Sequence, residues 1–137
     1  MKNSSFISLL FIICCLSLIA CSTDNKVAPS LTENIETLTI YKMVSFSEVE
    51  GNSLMEITNP EDIKTLEEAF RSAVKQDGTA DMSDPEYKID FGEDVYYLWI
   101  SESSGTIMNL VDTHTTYTLS EQSAQSVFEL VERSYNE

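Results

Sequence analysis

Pro85–Leu119 reads PEYKIDFGEDVYYLWISESSGTIMNLVDTHTTYTL, and its short alternating runs, separated by small polar residues, decide the fold. Tyr87, Ile89 and Phe91 alternate with Glu86, Lys88 and Asp90, the period-2 pattern of a strand with one buried face. Gly92-Glu93-Asp94 turns the chain into Val95–Ser101 (VYYLWIS), which is apolar or aromatic at both parities and so predicts a central strand. Ser103-Ser104-Gly105 turns again into a strand at Thr106–Val111. A turn at Asp112-Thr113-His114 then leads to a short strand, Thr115–Leu119. Successive hairpins of this kind imply an antiparallel meander.

Outward from that stretch, Leu38, Ile40, Val44 and Phe46 alternate with Thr39, Tyr41, Met43 and Ser45, which predicts a first strand with Lys42 interrupting its apolar face. Glu50-Gly51-Asn52-Ser53 reads as a turn into a second strand, Leu54–Ile57. Asn59 can cap a helix, Pro60 fits its first position, and Glu61 and Asp62 suit the positive end of its dipole. Ile63, Leu66, Phe70, Ala73 and Val74 form one stripe, which predicts a helix over Pro60–Gln76 with Gly78 as its stop. Ser120 caps a second helix whose stripe is Ala124, Val127, Phe128 and Val131. The expected fold is therefore α+β, in the order ββαββββα, with about five to six antiparallel strands and both helices packed on one face.

The 137 residues suit one domain. Residues 1–20 read as a cleaved leader: Lys2 lies in a polar start, and Phe6–Ala20 (FISLLFIICCLSLIA) is uncharged but short for a membrane-spanning helix. Leu18-Ile19-Ala20-Cys21 resembles the lipobox of bacterial lipoproteins, which implies diacylglycerol on the Cys21 thiol and cleavage before Cys21. Leu18 is too bulky for ordinary secretory cleavage after Ala20. Two acyl chains hold a protein on a membrane stably where one holds marginally. Residues 21–34 then form a polar tether, and Ser22–Asn34 (STDNKVAPSLTEN) extends at most roughly 40 Å. Residues 35–137 form the domain. Of three cysteines, Cys14 and Cys15 leave with the leader, so the body has no internal disulfide and no thiol nucleophile.

Charge narrows the partners. With Lys2 removed, seven basic residues face 23 acidic ones, a net of −16. Such a surface repels nucleic-acid backbones and anionic lipid headgroups, so the only membrane contact expected is the lipid on Cys21. The acidic face is first of all a solubilising one, and a cationic or basic-protein partner is the sharper alternative.

Signs of catalysis are sparse. The one histidine, His114, lies beside Asp112 in the expected turn, and no H-E-x-x-H or paired-His spacing accompanies it. There is no G-x-S-x-G elbow and no glycine-rich phosphate loop. No catalytic residue and no cofactor is expected, and a small hydrolase is the least favoured of three readings. The acidic loop DGTADMSDPE carries Asp77, Asp81, Asp84 and Glu86, which could bind Ca²⁺ weakly or sense a cation, although the ligand order of a calcium loop is missing. Tyr97 and Trp99 share one parity of the central strand; if that parity faces away from the helices they form a contact surface. The favoured expectation is a non-catalytic binding domain for an extracytoplasmic protein or wall component.

The helix start Asn59-Pro60-Glu61-Asp62-Ile63, the segment Asp84-Pro85-Glu86-Tyr87, Tyr97-Leu98-Trp99 and the closing Tyr117-Thr118-Leu119-Ser120 resemble small uncharacterised lipoproteins of bacilli, the YhfM-like group. These residues mark strand and helix ends and carry no chemistry. The resemblance implies a Gram-positive cell, with the domain on the extracytoplasmic face of the membrane, between membrane and wall.

Overall fold

Alternation along the strands sorts their side chains onto two faces, and one of those faces is covered by both helices. The computed structural model describes Pro29, Leu31 and residues 34–78 and 81–136. Its elements are β1 (Leu38–Ser45), β2 (Glu48–Val49), β3 (Met55–Ile57), α1 (Pro60–Arg71), β4 (Val74–Lys75), β5 (Tyr87–Asp90), β6 (Val95–Ile100), β7 (Gly105–Asn109), β8 (Asp112–Thr118) and α2 (Glu121–Asn136). The leader, Leu18–Cys21 and most of the expected tether lie outside the described residues. No helix among those described is long and apolar enough to cross a membrane.

The fold is α+β, as expected, with an antiparallel sheet of eight strands rather than five to six. They run in the order β2-β1-β5-β6-β7-β8-β4, and β3 lies beside the start of β1. The additional strands, β2 and β4, have two residues each. β2 and β3 form one return path along β1, broken at Glu50–Leu54. Ser53 fills the break: its Oγ donates to Glu50 O at 2.7 Å and accepts from Lys42 N at 3.1 Å. A buried hydroxyl so placed satisfies backbone groups that the ladder leaves open.

Cross-strand partners share a face, so Ile40, Ile89 and Tyr96 point the same way, as do Leu98 and Ile107. These side chains, with Leu38 and Ile100, meet Ile63, Leu66, Ala69 and Phe70 of α1 and Ala124, Val127, Leu130 and Val131 of α2 in one core. Each fully buried large side chain contributes roughly 1.5–3 kcal/mol. Phe70 is central, with its ring edge-on to Phe91 at 5.2 Å and to Tyr96 at 5.4 Å. Pro29 and Leu31 are buried, Leu31 in this core, so the packed body reaches back into the segment expected to be a tether.

Three expectations need correction. α1 ends at Arg71, not Gln76, although Ala73 remains buried. Val74 and Lys75 instead pair with Thr118 and Tyr117, and Gln76 N donates to Thr116 O at 2.9 Å. The open edge of β8 offers the backbone these partners, and β-branched Val74 suits a strand. Val44 and Phe46 leave the apolar face, 56% and 38% exposed, because the β1–β2 register shifts between Met43 and Ser45. The last hairpin turns at Leu110–Val111, two residues early, because Asn109 Oδ1 accepts from Val111 N at 2.8 Å. His114 therefore sits within β8.

Candidate functional site

β6 sets the two parities apart. Tyr96, Leu98 and Ile100 are buried against the helices, while Val95, Tyr97 and Trp99 point to the opposite face and are half-buried. On that outer face Tyr97 lies in a row with Tyr41, Lys88, Met108 and Thr116, read across the strand partners. Lys88 Nζ stands 4.3 Å over the Tyr41 ring, a cation–π contact.

Phe46, from the turn between β1 and β2, completes an aromatic cluster with Tyr97 and Trp99. Its ring is edge-on to Tyr97 at 5.4 Å and tilted to Trp99 at 5.9 Å, and Tyr97 and Trp99 are 6.3 Å apart. Backbone partners orient the rings. Tyr97 Oη donates to Phe46 O at 2.6 Å. Trp99 Nε1 donates to Ser83 O at 3.0 Å and Asp84 O at 3.2 Å. Asp84 Oδ1 in turn accepts from Phe46 N at 3.1 Å. Ser83 and Asp84, ahead of β5, are thus tied to the outer face, and Pro85 after them is buried. Met108 and Thr116 are also buried on the side away from the helices, a feature that sequence alone did not suggest. Rings held by such contacts are stiff, and stiff amphipathic rings form contact surface at low entropic cost.

Two carboxylates of the acidic loop accept from backbone amides. Asp84 caps the Phe46 amide, and Glu86 Oε2 accepts from Ile100 N at 2.7 Å. Asp77 and Asp81 are exposed. Among the described residues, no group of three or more His, Cys, Asp or Glu side chains is placed to hold a metal ion.

Asp112 and His114 do lie together, but as a local turn. Asp112 Oδ1 accepts from the backbone N of His114 at 3.2 Å. The Thr115 hydroxyl, then that His114 amide, hold the Asp112 carboxyl below its ordinary value. Both residues are exposed, with no imidazole–carboxylate pair built into a cleft. What this arrangement does chemically is fix a hairpin.

Phe46 is the member of this cluster to which the sequence does not point, since the alternation places it on the apolar face of the first strand. The serines on either side of it, Ser45 and Ser47, were the available signal for a turn. No curated protein and no solved structure matched this chain. The YhfM protein family matches residues 35–137, the whole span from just before β1 to the end of the chain, and the chain belongs to that family.

Proposed function

We propose that this chain is a membrane-anchored surface lipoprotein whose body is a non-catalytic interaction domain for an extracytoplasmic protein or wall component. The observation that carries the reading is the Phe46–Tyr97–Trp99 cluster, aromatic, half-open and oriented by backbone hydrogen bonds on the face away from the helices. Interface energy concentrates in such rings, Trp and Tyr above all. The lipobox Leu18–Cys21 supports the anchoring half of the proposal, because two acyl chains free the acidic body from any need for membrane affinity.

A photoreactive phenylalanine analogue at position 46, with the same analogue at Val111 as a control, tests the reading in intact cells of the native host. Val111 is 93% exposed at the far tip of the β7–β8 hairpin. The expected result is a discrete adduct from position 46 that is absent from position 111 and is lost when Trp99→Ala is added. Equal adducts from both positions would remove the aromatic face as the contact surface. Turnover in an activity screen that His114→Ala abolishes would remove the non-catalytic reading.

A further inference from the structure

A second surface lies where the end of β1, the start of β5 and the end of β6 meet α2. A groove of about 380 Å³ opens there, with Met43, Tyr87, Ile100 and Phe128 supplying apolar and aromatic lining. Three carboxylates stand around it, each from a different part of the chain: Glu50 before the break between β2 and β3, Glu86 at the entry to β5, and Glu132 on α2. Two of them have a known tie: Glu86 through Oε2 to the Ile100 amide at 2.7 Å, and Glu132 through Oε2 to Asn136 Nδ2 at 3.4 Å.

Among the described residues these carboxylates do not converge on a point where an inorganic ion would be held. They stand around a partly apolar lining instead. That geometry matches a cation carried on a hydrocarbon stem, with methylenes against the lining and charge among the carboxylates. The chain's own Lys42 also lines the groove and shows the chemistry: its Nζ lies 4.4 Å over the Tyr135 ring. Tyr135 in turn stacks on Tyr87 at 6.0 Å. One ammonium leaves three carboxylates incompletely neutralised, within a chain of formal charge −15.

We propose that this groove is a docking site for a basic protein segment, which places a lysine side chain between Glu50, Glu86 and Glu132. The site is separate from the Phe46–Tyr97–Trp99 cluster and does not depend on it. Charge complementarity selects the occupant: the acidic lining and acidic body repel phosphate-bearing or carboxylate-bearing polymers and attract a lysine-bearing one.

The test is fluorescence anisotropy of the full chain in detergent with a labelled peptide of alternating glycine and lysine, and with the same peptide acetylated on its lysines. The groove variant is Glu50→Gln, Glu86→Gln and Glu132→Gln together; glutamine keeps an acceptor for the Ile100 amide. The control removes the same charge elsewhere, as Glu61→Gln, Glu102→Gln and Glu121→Gln. The groove variant is expected to bind about tenfold more weakly, the control within about twofold of the parent, and the parent less tightly as salt rises. The acetylated peptide is expected not to bind. Glu132→Lys alone, on an exposed helix position, gives the same direction of change if the triple variant does not fold. The proposal is overturned if the unmodified peptide does not bind, if both triple variants weaken equally, or if the acetylated peptide binds as well as the unmodified one. None of these outcomes touches the adduct expected from position 46, so the two readings stand or fall separately.

Discussion

At the scale of single residues, two positions have roles that follow from their immediate contacts. Gly105 is buried where β6 turns into β7. A Cβ there would lie 2.7 Å from Leu119 Cδ1 and 2.8 Å from Ile100 Cδ1, both core side chains. Gly105→Ala is expected to cost about 1–3 kcal/mol in urea unfolding, since the neighbours are themselves packed and must shift together. Tyr135 ties α2 to the sheet, its hydroxyl donating to Ser53 O at 2.8 Å and Ile40 O at 3.2 Å. Burial first, then Tyr87 and Glu50, push this phenol from 10.0 up to about 12. Between those values the folded chain keeps a proton that the unfolded chain has lost. Its contribution to stability is therefore full below about pH 10 and declines as pH rises toward 12. Tyr87 and Tyr117 are also raised, chiefly by burial, and add to the same alkaline loss. Tyr135→Phe is expected to lower stability at pH 7 by about 1 kcal/mol and to flatten the decline above pH 10. An unchanged alkaline slope would show that this phenol does not govern it.

At the scale of elements, α1 shows how local chemistry and distant partners divide the control. Its start is local: Asn59 Oδ1 accepts from Glu61 N at 2.9 Å and from Asp62 N at 3.4 Å, and Pro60 needs no amide partner at the first position. Asn59→Ala is expected to cost about 1 kcal/mol, read as a lower urea midpoint with an unchanged slope. Its end is not local. The stripe continues to Ala73 and Val74, yet the chain leaves the helix at Ser72 because the β8 edge offers Val74 and Lys75 a ladder. The Arg133–Asp62 ion pair at 2.8 Å joins the two helices across their exposed rim. Solvent screening makes it a minor support, on the order of 1 kcal/mol or less.

At the scale of the whole molecule, the sheet has two unlike faces. One is sealed by α1 and α2. The other carries the aromatic cluster and the segment tied to it by Trp99, Asp84 and Phe46. Under the proposed anchoring, Cys21 is the body's only hold on the membrane. Cys21→Ala is expected to move the protein from the membrane fraction to the soluble fraction, whereas Cys14→Ala and Cys15→Ala leave it in place. Membrane retention of a fully processed, lipid-free Cys21→Ala protein would contradict that account.

Neighbours a few residues apart account for one set of features, legible from the residues in order. The α+β class, the four-strand meander from β5 to β8, the capped start of α1, and the shared parity of Tyr97 and Trp99 all follow from periodicity and turn chemistry. The lipobox reading rests on a contiguous motif, and so is also a matter of sequence alone. Tertiary structure decided what depends on partners far along the chain. It chose which face of β6 the helices cover, drew Val74 and Lys75 out of the helix to the edge of β8, and brought Phe46 onto Tyr97 and Trp99. It also committed Asp84 and Glu86 to backbone amides, which no spacing within the acidic loop could reveal. The physical reason is common to these cases: each side chain or backbone group settles where its apolar surface is buried and its polar atoms find partners. Those partners exist only once the sheet has closed.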